Sequence, residues 1–121
     1  MRIFLDTADV NEVKQRVDTG LISGITTNPT LILKSGRKPR DVYQELDDLD
    51  YITDISMEVT ANTALHMYNI GRELSDSFDN ATIKLPCTVE GLKACKMLND
   101  QKVRTNVTLV FSPEQAILAS L

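Results

Sequence analysis

The chain has 121 residues, of which 25% are charged and 42% hydrophobic, and its formal net charge is −4. That is the balance of a soluble globular fold, and the length suits one domain, residues 1–121, with a real core. No stretch reaches the roughly 18 apolar residues of a membrane span, and no basic face is available for nucleic acid, whose binding rests on counterion release.

The largest basic group, Lys34-Ser35-Gly36-Arg37-Lys38-Pro39-Arg40, reads as a solvated loop. The N-terminus runs straight into Ile3-Phe4-Leu5-Asp6, with no basic segment followed by a long apolar run, so no secretory signal is expected. Cys87, Cys95 and the single His66 lack the companions of a zinc site. No metal is expected, and both cysteines read as small core residues in a reducing cytoplasm.

Short β-like runs alternate with helical patterns. The first run is residues 1–5, followed by a helix opened by Asp6 or Thr7, with Val10, Val13 and Val17 on one face and Gly20 as its stop. The second run, residues 21–26, meets Asn28-Pro29, where proline blocks a simple continuation. Residues 34–40 read as loop, and residues 41–49 as a helix with Val42, Leu46 and Leu49 inward.

The third run is residues 52–59, then a helix spans about 62–74. The fourth, residues 81–85, ends at Pro86. Thr88 then caps a helix with Val89, Leu92, Cys95 and Leu98 on one side. The fifth, residues 103–111, meets Ser112-Pro113-Glu114-Gln115, a capping box with proline at the first helical position. This alternation predicts an α/β fold with a parallel sheet and right-handed crossovers, either an open doubly wound sheet or a closed barrel.

Parallel strands covered on both faces should be almost wholly apolar, and these are not. Residues two apart share a face. Leu5, Ile25, Met57, Ile83, Val107 and Leu109 fit a face packed on helices. The opposite face carries Asp6, Thr26 with Asn28, Glu58, Lys84, and Asn106 with Thr108, each near the C-terminal end of its strand. In a barrel those ends share one mouth, where active sites sit. A lysine flanked by Ile83 and Leu85 is partly withdrawn from water, and an amine that can shed its proton near neutral pH attacks a ketone to form an imine.

Each of these residues also has a plainer reading. Lys84 alone could guard a strand edge. Asp6 and Thr7 could be helix caps, and residues 26–29 a turn. Glu58 could be a solvated charge, and Asn106 and Thr108 half-exposed strand residues. Five such coincidences at the same end of five successive strands favour a site.

Phe4-Leu5-Asp6-Thr7-Ala8-Asp9, Gly24-Ile25-Thr26-Thr27-Asn28-Pro29-Thr30, Ile83-Lys84-Leu85-Pro86 with Thr88-Val89-Glu90-Gly91, and Asn106-Val107-Thr108-Leu109-Val110-Phe111-Ser112 resemble transaldolase motifs. The match is closest to the small bacterial-type transaldolase and fructose 6-phosphate aldolase subgroup and covers essentially the whole chain. The resemblance implies a (β/α)₈ TIM-type barrel, of which about five β/α units are present, and no metal or organic cofactor. It implies that Lys84 forms a Schiff base with C2 of a ketose and that Asp6 takes the C4 hydroxyl proton. Glu58, through a water held partly by Thr108, shuttles protons. By the same resemblance Asn28 and Asn106 bind substrate hydroxyls or steady the dihydroxyacetone–lysine intermediate, with Thr26 in support.

The resemblance further implies transfer of a dihydroxyacetone unit among fructose 6-phosphate, sedoheptulose 7-phosphate, erythrose 4-phosphate and glyceraldehyde 3-phosphate, in the cytoplasm and in a homo-oligomer. A glutamate at position 58 resembles the transaldolases, whereas the aldolases that release dihydroxyacetone carry glutamine, so a transferase is expected rather than a lyase. A deoxyribose-phosphate type of aldolase, which usually relies on a second lysine, fits less well, since Glu58, Asn106 and Thr108 occupy the mouth. Because the loops that grip phosphate come from later strands, the chain by itself is expected to be weakly active or inactive. An oligomerising or binding module is the alternative.

Overall fold

A computed structural model describes residues 3–17 and 19–108. Five strands alternate with helices: β1 (Ile3–Asp6), α1 (Val10–Val17), β2 (Ile22–Thr26), α2 (Pro29–Ser35), α3 (Pro39–Asp47), β3 (Asp54–Glu58), α4 (Ala64–Ser77), β4 (Ala81–Pro86), α5 (Val89–Asp100) and β5 (Thr105–Thr108). All the pairings are parallel and the spatial order is β1-β2-β3-β4-β5. A doubly wound sheet would reverse its strand order at a switch point. This order never reverses, so the chain forms a curled partial barrel with helices on its outer side. No helix among the described residues is long and apolar enough to cross a membrane.

The expected alternation organises the sheet. Ile25, Ile55, Met57, Ile83 and Leu85 are fully buried on the helix side, with Leu5 and Val107 packed partly against them. Each such side chain contributes roughly 1.5–3 kcal/mol by leaving water. Leu109 and residues 110–121, including the expected capping box, lie outside the described residues.

Helix starts differ from expectation in two places. Asp9, rather than Asp6 or Thr7, caps α1: its Oδ1 accepts from the amides of Asn11 at 3.0 Å and Glu12 at 3.3 Å. The sheet ladder continues through Thr7, whose amide donates to the Thr26 carbonyl at 3.1 Å, so the chain cannot turn into a helix any earlier. Asn28 and Pro29 form a helix start instead of a break. Asn28 Oδ1 accepts from the Leu31 amide at 2.9 Å, and proline takes the first helical position, where its missing N–H costs nothing.

The expected loop at residues 34–40 shrinks accordingly. Lys34 and Ser35 end α2, Gly36 follows with a φ of 70°, and Pro39 opens α3. Val42 and Leu46 are buried as expected and Leu49 is half-buried. Tyr43 is buried as well, its ring edge-on to Phe78 with centroids 5.9 Å apart.

Thr63 caps α4 and Thr88 caps α5, through the amides of His66 and Gly91. Along α5 the buried positions are Gly91, Ala94, Cys95 and Leu98, while Val89 is 70% exposed. The first turn is rotated so that Gly91 lies against the strand: a Cβ on Gly91 would meet the Pro86 carbonyl oxygen at 2.0 Å.

Candidate active site

In-register partners on parallel strands share a face of the sheet. The pairings Asp6 with Thr26, Thr26 with Ser56, and Ser56 with Thr82 define one row across the inner face. Glu58, Lys84 and Asn106 form the next row, two residues nearer the C-terminal strand ends. Thr108, register partner of Pro86, lies one step further along. Every position singled out in the sequence therefore falls on the inner face or at its rim.

A cavity of about 470 Å³ is lined by Asn28, Glu58, Lys84 and Thr108, with Pro29, Thr30, Leu31 and Thr60 completing it. These four of the seven candidate residues surround one space, and Lys84 and Glu58 are half-buried there. Asn28 has its carbonyl oxygen engaged in the α2 cap, which leaves its NH₂ group as the part that can meet a ligand.

The other three stand apart from this cavity. Thr26 Oγ1 donates to Asp6 Oδ1 at 3.1 Å, so Asp6 and Thr26 form a pair in the deeper row, and Asp6 is exposed. Asp6 stands three strands from Lys84 and one row below it. Asn106, register partner of Lys84, donates from Nδ2 to Ser56 Oγ at 3.4 Å.

The sequence reading missed several neighbours of Glu58. Ser56 is buried at the inner position two residues before it. The period of two that pointed to Glu58 also marks Ser56, but a serine carries no signal of its own. Thr27, fully buried, donates from Oγ1 to the Ser56 carbonyl at 2.8 Å and acts on the pKa of the Tyr43 hydroxyl. Burial raises the pKa of Tyr43 against an opposing effect of Thr27, and the Glu58 carboxylate adds to the rise. The phenol therefore keeps its proton. His66, given no role from sequence, lines with Glu58 and Pro86 a second depression that adjoins the first.

Among the described residues no group of three or more His, Cys, Asp or Glu could hold a metal ion. A lysine beside a carboxylate, with amide and hydroxyl groups around a shared space at the C-terminal strand ends, is a set suited to amine attack on a carbonyl with proton transfer nearby.

Known proteins identify the family of the chain. The family described as Transaldolase/Fructose-6-phosphate aldolase matches residues 3–120. The chain belongs to that family. A protein named probable transaldolase from Geobacter sulfurreducens is 50% identical over 122 residues, covering 99% of this chain and 56% of the relative. A probable transaldolase from Moorella thermoacetica is 49% identical over 123 residues, with 100% and 56% covered. One from Nitrosopumilus maritimus is 44% identical over 120 residues, with 99% and 54% covered. The chain thus spans about half the length of these transaldolase-family relatives, in keeping with five strands of an eight-stranded barrel.

Proposed function

We propose that this chain carries the nucleophilic lysine of a transaldolase-type site and forms a Schiff base between Lys84 and a ketose phosphate. The neutral amine of Lys84 adds to the C2 carbonyl to give a carbinolamine, which loses water to become an iminium ion. Glu58, through a water steadied by Thr108, supplies and removes the protons of that step. Asp6 takes the proton of the C4 hydroxyl. The C3–C4 bond breaks, its electron pair flows into the iminium to leave an enamine on Lys84, and an aldose departs. The enamine C3 then attacks an acceptor aldehyde, the resulting alkoxide is protonated, and hydrolysis frees the new ketose and Lys84.

Asn28, through its NH₂, and Asn106 hold substrate hydroxyls, with Thr26 fixing Asp6. Sugar phosphates such as fructose 6-phosphate and sedoheptulose 7-phosphate are the donors, with erythrose 4-phosphate or glyceraldehyde 3-phosphate as acceptor. Transfer is favoured over release of dihydroxyacetone because position 58 carries glutamate. The observation that carries this reading is the register pairing of Glu58 with Lys84 beside a cavity that Asn28 and Thr108 also line.

The test is chemical trapping. The chain is incubated with fructose 6-phosphate, reduced with borohydride and digested for peptide mass analysis. A dihydroxyacetone-sized mass gain on the peptide bearing Lys84, absent from a Lys84→Arg variant, is the expected result. An unmodified Lys84 peptide, or the same adduct on surface lysines alone, would refute the proposal.

A further inference from the structure

The loop after β3 contributes Thr60 to the cavity, and it is fastened at both ends to the neighbouring β4–α5 unit. Residues 59–63 run from Glu58 to the start of α4 as a strap that forms, with His66 and Pro86, the wall of the second depression. At one end of the strap the Val59 amide donates to the Lys84 carbonyl at 3.0 Å. Beyond the other end the Ala64 amide donates to Glu90 Oε2 at 2.7 Å. Both anchors belong to the β4–α5 unit that carries Lys84.

Glu90 is thus a cap supplied from a neighbouring helix. Thr63 serves the His66 amide, one of the donors that the first turn of α4 leaves unmet, and Glu90 serves another. Lys93 Nζ lies 3.2 Å from Glu90 Oε1 and steadies the carboxylate from one turn away. Gly91 lets α5 begin directly on the Pro86 carbonyl, which brings Glu90 within reach of Ala64.

We infer that Glu90 is a positioning residue: by fastening the far end of the strap to the β4–α5 unit, it holds Glu58 beside Lys84. The inference rests on the imine reading for its consequence in catalysis, and on the geometry of the strap alone for its mechanism. A serine-sized or apolar side chain at position 90 would leave the Ala64 amide to water and one end of the strap untethered.

Three variants of the 121-residue chain separate the possibilities. Glu90→Gln keeps an oxygen acceptor at the same reach. Glu90→Asp keeps the charge but is shorter by one methylene, about 1.5 Å. Glu90→Ala has neither. Circular dichroism first establishes which of them are folded, and Glu90→Asp serves if Glu90→Ala is not. Amide exchange at Ala64 and across residues 59–63 is expected to rise about tenfold in Glu90→Ala and Glu90→Asp and to stay within about twofold of the parent in Glu90→Gln. The carbon-13 signal of the Glu58 carboxyl is expected to move in the first two and not in the third. The rate of borohydride-trappable adduct at Lys84 is expected to fall severalfold in the same order.

Unchanged exchange in a folded Glu90→Ala or Glu90→Asp chain would show that the strap needs no fastening there, and the inference falls. Faster exchange with an unmoved Glu58 signal would also overturn it, leaving Glu90 as a cap without consequence for the site. If the parent chain traps no adduct, the imine reading fails separately, and exchange together with the Glu58 signal still decides the role of Glu90.

Discussion

Glu58 and Lys84 are register partners at the C-terminal ends of the neighbouring parallel strands β3 and β4, so a carboxylate and an amine stand side by side on the inner face of the sheet. Strand spacing alone puts their backbones about 4.8 Å apart. The Val59 amide secures the pair by donating to the Lys84 carbonyl, and Lys84 is in turn in register with Asn106 on β5.

Replacing Glu58 by glutamine should expose what that pairing does. The carboxamide keeps the shape but cannot carry a proton, so under the proposed mechanism any dihydroxyacetone transfer by the chain is expected to fall by about 10²-fold, the lower end of a general acid–base contribution. Release of free dihydroxyacetone should rise relative to transfer. Product ratios by chromatography check this, and an unchanged ratio would remove Glu58 from the proton-transfer role.

Asn28 combines a structural duty with an inferred binding one, and two substitutions separate them. Asn28→Ala removes the α2 cap and should cost about 1 kcal/mol of stability, read from urea unfolding. Asn28→Asp preserves a capping oxygen and should stay within about 0.5 kcal/mol of the parent. It loses the NH₂ donor, however, and places a second carboxylate beside Glu58, so adduct formation at Lys84 should fall in both variants. Full adduct formation in Asn28→Asp would show that the amide touches no substrate.

Gly91→Ala should be strongly destabilising for a residue in a helix. The new Cβ would lie 2.0 Å from the Pro86 carbonyl oxygen, a backbone atom that cannot swing aside. The start of α5 would have to move, at a cost of about 1–3 kcal/mol. Since alanine is the better helix former, a stabilised variant in thermal unfolding would show that α5 does not sit on Pro86 as described.

The carboxylate of Glu90 ties stability to acid. Its pKa is lowered from the ordinary 4.5, first by the Ala64 amide and then by Lys93. A depressed folded-state pKa means that the ionised form is favoured in the folded chain, so the contribution is complete above pH 4.5 and is lost as pH falls through the lower folded value. The urea midpoint of the parent should exceed that of Glu90→Gln at pH 7, and the gap should narrow below about pH 4.5. A gap that stays constant from pH 7 to pH 3 would mean that charge plays no part in the clasp.

Much of the layout was legible in local sequence. Alternation around Lys84, with Ile83 and Leu85 on its flanks, assigned the inner and outer faces of β4, and the same reading held for Leu5, Ile25, Met57 and Val107. The caps at Thr63 and Thr88 involve residues within three positions of one another, which makes them local decisions too. Asp6 and Thr7 were the caps expected by residue type. The choice of Asp9 came from Thr7 being held by Thr26, nineteen positions away in the chain. Tyr43 and Ser56 carried no local signal because their neighbours, Thr27 after β2 and Asn106 on β5, come from distant segments of the chain.

The amino-acid sequence by itself determined which side chains look inward, because the two-residue repeat of an extended backbone is a matter of covalent geometry and needs no partner. It also determined the chemistry available, one lysine and several polar groups at strand ends. Only the tertiary structure decided that Glu58 rather than Asp6 is the acid next to Lys84, and that Glu90 closes on Ala64. Both outcomes depend on the offset between strands and on how a helix seats against its neighbour. Those are set by hydrogen bonds and packing between segments 26 residues apart in the chain, where local pattern has no reach.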